Sequence, residues 1–293
     1  MKGMRKRKVS PYERYGIVME ERELKYRRAS KREGGVFLAI VAPLFLPPPS
    51  GMETTEERVE EMAISEEESW GVEWVMGQLE KKGDLPEKLY LLIETRGGSG
   101  ASAYTIARIL RKRFKIIKAF VPHQALSAGT LIAVAADEIV MDISSNLGPF
   151  DAQVELPNYG VISASRLERG LTLAEKYYQK RGVLNPKEFV REKLDPVLYG
   201  LLEEAQRAGE MYLQEILISA HYPKKKAERI AHKLVWEFPS HEFPITIERA
   251  KELGLKVVSK EKYPVLWKLM CEWLDKLAFH PKNVDHLIAY TRG

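Results

Sequence analysis

Apolar residues in this chain form short, continuous runs separated by segments with helical spacing. Such runs occur at residues 36–42, 88–94, 115–122 and 138–142, and "KLYLLIE" (88–94) has almost no polar alternation. Continuous apolar runs are typical of parallel strands covered on both faces of a sheet. Helices are predicted between them, the first from the capping box of Ser65 and Glu68 to Gly83. This alternation predicts right-handed βαβ units.

From about residue 160 the apolar positions recur every three or four residues, which predicts helices. These segments are 164–182, 196–220, 223–238 and 246–255, followed by a short strand at 257–259 and an amphipathic helix at 263–279. We therefore predict an α/β fold with a helical elaboration. Its parts are a basic extension (1–33), a main domain (34–262) with a helical insertion at about 160–236, and a C-terminal helix (263–293).

The composition is compatible with a sizeable core, and the positive charge is concentrated near the N-terminus. Apolar residues make up 45% of the 293 residues, and the single cysteine, Cys271, excludes a disulfide framework and a cysteine-based zinc cluster. The net charge is +5, yet residues 1–33 hold twelve Lys or Arg against five Glu, a net +7. This extension is either a solvated tail or a contact for nucleic acid or anionic lipid. The abundance of Lys, Arg and Glu is typical of proteins from hot environments.

The apolar run "GGVFLAIVAPLFLPPP" (34–49) is the main candidate for a membrane segment. It is interrupted at Pro43 and is shorter than the ~20 residues that span a bilayer. No small-residue cleavage site of a signal peptide follows it. We interpret residues 36–42 as a buried strand, with an interfacial anchor as the alternative. The expected location is cytoplasmic, with membrane association as the other reading.

Two glycine-rich turns follow predicted strands and open predicted helices. In an open α/β sheet, both turns lie at the carboxyl edge, where ligands bind. Gly97 and Gly98 in "RGGSG" can present backbone N–H groups, which is what an oxyanion hole requires. Ser127 in "ALSAGTL" has small neighbours on its C-terminal side, as a nucleophile in a tight turn would. An ordinary turn and a plain helix cap are the structural alternatives.

Three segments together resemble the Clp-like superfamily of serine peptidases. They are "LLIETRGGSGASAYTIARILR", "VPHQALSAGTLIAVAADEIVMDISSNLGPFDAQV" and "SHEFPITIERAKELGL". The similarity is in particular to the serine dehydrogenase proteinase family, which is related to signal peptide peptidase A. It runs from about residue 91 to 154 and returns at 240–255. The resemblance implies a Clp/crotonase-like spiral of βαβ units and a homo-oligomer.

The resemblance also implies a Ser-Asp-His site. Ser127 stands in the family's "Met-Ser-Gly-Gly-Thr-Leu" pattern as the nucleophile. Asp151 in "LGPFDAQ" matches "Gly-Pro-x-Asp-Pro-Gln", and His241 in "SHEFPI" matches "Thr-His-Asp-Tyr-Pro-Ile". Backbone N–H groups of Gly98 and Ala128 would form the oxyanion hole. This chain order differs from the Ser-His-Asp order of the Clp peptidases.

The chain departs from the family pattern at four positions. Glu94 and Arg96 replace the usual His and Pro around the Gly-Gly turn, Ala128 replaces the first Gly after the serine, and Ala152 replaces a Pro. Ala128 keeps its backbone donor. Glu94 is expected to place an acid near the site, where it either alters substrate choice or indicates lost activity.

Other titratable residues compete for roles. Related signal peptide peptidases use a lysine base, for which Lys176 and Lys180 are the candidates; we expect both at the surface. A histidine is largely neutral at pH 7 and an exposed lysine is not, which favours His241 as the base. His123 either lines the cleft or lies behind it or at the surface. His221 and His232 show no metal-ligand spacing.

The leading hypothesis is a serine peptidase that cleaves polypeptides through an acyl-enzyme and needs neither metal nor nucleotide. A crotonase-type enzyme would use the same paired N–H groups to stabilise a thioester enolate, without a nucleophilic serine. A catalytically inactive scaffold is the third reading. Self-association is expected through the helical elaboration or the C-terminal helix, where Trp267 and Trp273 lie on partly different faces.

Overall fold

Strands and helices alternate along the first half of the chain in the computed structural model. The structure describes residues 18–21, 23–41, 63–156, 160–182, 196–278 and 287–292. The strands are β1 (Val18–Glu20), β2 (Gly35–Val41), β3 (Lys88–Glu94), β4 (Ile116–Val121), β5 (Gln124–Ala125), β6 (Glu138–Met141), β7 (Asn146–Leu147), β8 (Gln153–Leu156), β9 (Gly160–Ser163), β10 (Val257–Ser259) and β11 (Leu287–Arg292). The helices are α1 (Leu24–Glu33), α2 (Glu66–Glu80), α3 (Gly100–Arg113), α4 (Ala128–Ala133), α5 (Ala164–Arg181), α6 (Pro196–Ser219), α7 (Lys224–His232), α8 (Ile247–Leu253) and α9 (Pro264–Ala278). A π-helical turn, Lys233–Glu237, extends α7.

Within the described ranges, seven strands form the main sheet, in the order β1-β11-β2-β3-β4-β6-β10. Strands β2, β3, β4, β6 and β10 are parallel, whereas β11 runs antiparallel to β2. Two small sheets lie outside it, one of β5 with β7 and one of β8 with β9. The fold is therefore a mixed α/β structure with a predominantly parallel sheet, as the sequence predicts.

Both faces of the sheet are buried, which explains the continuous apolar runs. On one face, Leu38 and Leu91 pack with the apolar sides of helices α2, α3, α4 and α6. On the other face, Phe37 and Leu92 contact α1 and α9, and Trp273 is fully buried among them. Because alternate side chains of one strand enter different cores, apolar residues are favoured on both faces.

The predicted strands at 36–42, 88–94, 115–122 and 138–142 agree with β2, β3, β4 and β6 to within a residue at each end, apart from Ala42, which lies outside the described residues. Strands β1, β5, β7, β8, β9 and β11 were not predicted. Strand β1 and helix α1 belong to the stretch expected as a basic extension, yet β1 pairs with β11 and Tyr26 of α1 is fully buried. Among the described helices, none has the length and apolar character needed to cross a bilayer.

Exposed large apolar side chains are concentrated on α5 and α6. Those side chains are Leu173, Tyr177, Val197, Tyr199, Leu201, Met211 and Ile218. Trp273, by contrast, belongs to the core of the single chain and Trp267 is partly buried against it. Of the two surfaces expected to mediate self-association, the helical elaboration is therefore favoured over the C-terminal helix.

We predict that the protein self-associates through α5 and α6 at micromolar concentration. Light scattering should give a multiple of the chain mass. The double variant Leu173→Glu/Leu201→Glu should shift it to the monomer, because burying two carboxylates at an apolar contact is unfavourable. Ile143→Glu, at a side chain 82% exposed after β6, is the control. A monomeric wild-type protein would contradict the prediction.

Candidate active site

The turn after β3 and the turn after β4 lie directly against each other at the carboxyl edge of the sheet. The N–H of Thr95 donates to the Gln124 carbonyl (3.0 Å), and the N–H of Leu126 donates to the Thr95 carbonyl (3.0 Å). A Cβ on Gly129 would lie only 2.5 Å from the Thr95 Cγ2 atom. This close approach needs glycine and brings the Gly-Gly turn beside Ser127.

Ser127 precedes α4 in a backbone conformation that L-residues rarely adopt. Its φ and ψ are 48° and −114°, and its side chain makes no cap hydrogen bond to the helix. Such a conformation costs about 1–3 kcal/mol and persists only where neighbouring structure enforces it. Gly97 is one such neighbour, because a Cβ there would lie 2.8 Å from the Ser127 Cβ. A plain helix cap is therefore not what this serine provides.

Two backbone N–H groups lie beside Ser127, that of the exposed Gly98 and that of Ala128, a fully buried residue. Gly98 is exposed, with φ of 138°, and pairs with Ile64 so closely that a Cβ would lie 2.2 Å from the Ile64 nitrogen. Ala128 is the first residue of α4, where N–H groups have no intrahelical acceptor. None of the turn, loop and cap hydrogen bonds in the described ranges uses the N–H of Gly98 or Ala128.

Asp151 and His241 are brought together although 90 residues separate them. The His241 Nδ1 atom lies 2.6 Å from Asp151 Oδ1, and the Ser165 hydroxyl donates to Asp151 Oδ2 at 2.8 Å. The Asp151 side chain is 3% exposed and that of His241 is 18% exposed. Since an ionised carboxylate only accepts, Nδ1 of His241 is the donor in this pair, which leaves Nε2 to accept a proton.

Ionisation of Asp151 is favoured by these partners. Burial of the carboxyl opposes ionisation, but the hydrogen bond and the charge of His241, followed by the hydroxyls of Ser165 and Ser163, outweigh it. They hold the pKa of Asp151 below its ordinary value. The pair thus has the features of an imidazole oriented by a buried carboxylate.

A cavity of about 420 Å³ contains Gly98, Ser127 and Asp151 in its wall. The remaining wall is mostly small or apolar and comes from the starts of α3 and β8 and from one face of α6: Gly100, Ala101, Phe150, Ala152, Gln153, Ala205, Ala208, Gly209 and Tyr212. His241 is not among the lining residues, and no hydrogen bond within the described ranges joins it to Ser127. Catalytic hydrogen bonds are often long before substrate binds.

Glu94 lies behind the segment that leads to Ser127 and does not enter the cavity. Glu94 is fully buried and absent from the cavity wall; its Oε2 atom lies 3.3 Å from the N–H groups of both His123 and Gln124. The carboxylate therefore holds the segment that leads to Ser127 from behind, with the His123 imidazole beside it at 3.3 Å. Hydrogen bonding to Glu94, opposed by burial, raises the pKa of His123. Arg96 points to solvent.

The competing lysines and histidines lie elsewhere. Lys176 and Lys180 are exposed on α5 and do not line the cavity. His221 lies 3.2 Å from an oxygen of Asp137, and His232 lies 3.4 Å from Glu210. Neither histidine contributes to the wall around Ser127.

Several supporting residues were missed by sequence reasoning. Ser165 binds Asp151, and the Ser163 hydroxyl lies 3.1 Å from that of Ser165. The Gln206 side chain accepts from the Ala152 N–H (2.5 Å) and donates to the Val235 carbonyl (3.3 Å), which ties the Asp151 segment to α6. In the sequence, the two serines indicate only the start of a helix. Nothing in the sequence around Gln206 indicates that its side chain is buried.

The lowered pKa of Asp151 predicts a pH dependence of stability. An aspartate titrates near 3.9 when unfolded, so the contribution of the pair is present above that pH and is lost as pH falls through the lower folded pKa. Urea unfolding between pH 5 and 2.5 should show a steeper loss of unfolding free energy in wild type than in Asp151→Asn. Asp275→Asn, on exposed surface, should keep the wild-type slope. Equal slopes for wild type and Asp151→Asn would contradict the prediction.

Sequence relatives match part of this chain. Two uncharacterized proteins of Methanocaldococcus jannaschii, MJ1495 and MJ0137, are 31% and 32% identical over 186 and 182 residues, which are 62% and 60% of this chain. The matched region is 56% of each relative, so the chain spans little more than half of their length.

The solved structures that match include a protease and an enoyl-CoA hydratase/isomerase. A serine-to-alanine mutant of the 1510-N membrane-bound stomatin-specific protease has a TM-score of 0.44 and 15% identity, covering 70% of this chain and 79% of that one. An enoyl-CoA hydratase/isomerase from Marinobacter aquaeolei has a TM-score of 0.38 and 11% identity, with 75% and 70% covered. The model of the ClpP-like SDH-type serine proteinases matches residues 82–284, which include Ser127, Asp151 and His241. The chain belongs to this family of ClpP-like serine proteinases.

Proposed function

We propose that the protein is a serine endopeptidase that cleaves polypeptides through an acyl-enzyme, with Ser127 as nucleophile. The observation that carries this proposal is the state of Ser127 itself. It holds a strained backbone at a helix start, makes no cap bond, and borders a cavity that also contains Asp151. A serine kept in such a conformation without a structural bond is explained by a role at the reacting carbonyl.

His241 is the proposed general base. Its Nδ1 is bound to Asp151, so the neutral imidazole carries its proton there and Nε2 accepts the hydroxyl proton of Ser127. The attacking oxygen bonds to the scissile carbonyl carbon, and the same proton later passes to the leaving amine. Water then repeats the sequence on the acyl-enzyme. Closure of the Ser127–His241 gap on substrate binding is part of this proposal.

The N–H groups of Gly98 and Ala128 are the proposed oxyanion hole. Both groups lie next to the contact between Gly97 and Ser127. A Cβ placed on Gly97 would lie 3.3 Å from the Ala128 nitrogen. Negative charge develops on the carbonyl oxygen as the tetrahedral intermediate forms, and fixed donors stabilise it without reorganisation. Replacing the family's glycine by Ala128 leaves this donor in place, because the contribution comes from the backbone.

Ser127 should be the serine that reacts strongly with a fluorophosphonate. A hydroxyl becomes nucleophilic only beside a positioned base and an oxyanion hole. Peptide mapping by mass spectrometry should place the adduct on Ser127, and Ser127→Ala should abolish it.

Ser99 is a matched control, since it also precedes a helix at the same edge but accepts a cap bond from the Ser102 N–H. Ser99→Ala should remain labelled and lose about 1 kcal/mol of stability, whereas Ser127→Ala should lose less. Folded wild-type protein that is not labelled would overturn the peptidase. Acyl-CoA turnover without labelling would favour the crotonase reading, and partner capture without labelling would favour a scaffold.

The base should be His241 rather than a lysine. His241→Ala should lower peptide hydrolysis by several orders of magnitude, and Asp151→Asn by up to ~10⁴ because the imidazole takes the wrong tautomer. Lys176→Ala and Lys180→Ala should change it little, since both side chains are exposed on α5. His232→Ala is the histidine control. Activity that survives His241→Ala but is lost with either lysine would indicate a Ser-Lys dyad.

A further inference from the structure

A second surface of the molecule is not used by the proposed chemistry. Helices α1 and α9 cover one face of the sheet. The other face carries the core that includes Phe150, a residue of the Ser127 cavity. Between their outer sides lies a groove of about 430 Å³. Lining it are the cations Lys25, Arg28, Arg32 and Lys268, the apolar residues Ala29, Val265 and Leu269, and one acid, Glu272.

Positive charge dominates this α1–α9 surface. Glu272 is already paired with Lys25 at 3.0 Å, and Arg32 lies 3.0 Å from Glu33. Within the described part of the chain, no hydrogen bond, ion pair or ring contact engages the side chains of Arg28 and Lys268, both of which are exposed. Arg27 and Lys31 of α1 are exposed as well. Cations left without acids favour an anionic partner.

Apolar side chains accompany these cations at the surface. Leu24 at the start of α1 is 58% exposed, and Val265 at the start of α9 is 64% exposed. Leu269 forms part of the groove floor between them and the core. Cations interleaved with exposed aliphatic side chains are the pattern of helices that lie in a membrane interface. Nucleic acid phosphates would use the cations alone and gain nothing from the aliphatic groups.

The adjoining sequence adds charge of the same sign. Residues 1–17 contain six Lys or Arg and one Glu. A cluster of four to eight basic residues beside an amphipathic surface binds anionic headgroups with about 1 kcal/mol per residue. Residues 1–17 therefore carry a net charge of the same sign as the surface of α1 and α9.

We propose that the outer surface of α1 and α9 docks on an anionic lipid bilayer. Arg28 and Lys268 contact the headgroups, and Leu24 and Val265 enter the boundary with the acyl chains. This docking does not depend on the chemistry at Ser127.

Vesicle sedimentation of the full chain tests the proposal. Vesicles of phosphatidylglycerol and phosphatidylcholine (1:1) should bind the protein, pure phosphatidylcholine should not, and salt should weaken the binding. Arg28→Glu/Lys268→Glu should lower the partition coefficient by about 30-fold or more, since at least two contributions of about 1 kcal/mol are removed. Leu24→Ser/Val265→Ser should also weaken it.

The matched control is Lys112→Glu/Lys251→Glu, which changes net charge equally at exposed positions on α3 and α8. Circular dichroism verifies that each variant is folded. Equal losses in the two charge-reversal variants, or equal binding to both kinds of vesicle, would overturn the proposal. A third outcome would also overturn the proposal: the protein does not sediment with anionic vesicles, yet it binds a 30-base-pair DNA duplex, and Arg28→Glu/Lys268→Glu lowers that binding. None of these readouts depends on peptidase activity, so a failure here leaves the assignment of Ser127 intact.

Discussion

The close backbone contact between the turns after β3 and β4 is the constraint on which the candidate site depends. Thr95 exchanges backbone hydrogen bonds with the Gln124–Leu126 segment, and Gly97 and Gly129 leave no room for a side chain at the contact. Because the contact fixes Gly97 against Ser127, the strained serine cannot relax into an ordinary cap. The neighbouring N–H donors are held by the same contact, so the proposed nucleophile and the proposed oxyanion hole belong to one unit.

Long-range packing supplies the second half of the site. Asp151 is held through the adjacent Ala152 N–H by Gln206 of α6, and His241 reaches it from beyond the π-helical turn. A buried carboxylate is stable only when its oxygens are hydrogen-bonded, and here Ser165 and His241 each bind one oxygen. The helical elaboration therefore has a physical role at the site, because α6 both anchors the Asp151 segment and forms a wall of the cavity.

Glu94 shows how a departure from a family pattern can be structural. Its position at the end of β3 suggested an acid at the site, but side chains alternate along a strand, and at this position the alternation directs the carboxylate away from the cavity. There it accepts hydrogen bonds from backbone N–H groups of the segment that precedes Ser127. The Glu94 side chain thus lies behind the site rather than entering it.

The sequence by itself determined the order and the buried character of β2, β3, β4 and β6, the helices between them, and the two glycine-rich turns at one edge. These features follow from local patterns, since continuous burial and tight turns are both encoded by neighbouring residues. Resemblance to a family supplied the pairing of Asp151 with His241, which no spacing rule gives. Tertiary structure alone decided that β1 and β11 complete the sheet, that Ser127 forms no cap, that Glu94 faces away, and that Gln206 and Ser165 support Asp151. Each of these depends on contacts between residues distant in sequence, and such contacts leave no periodic signal in the chain.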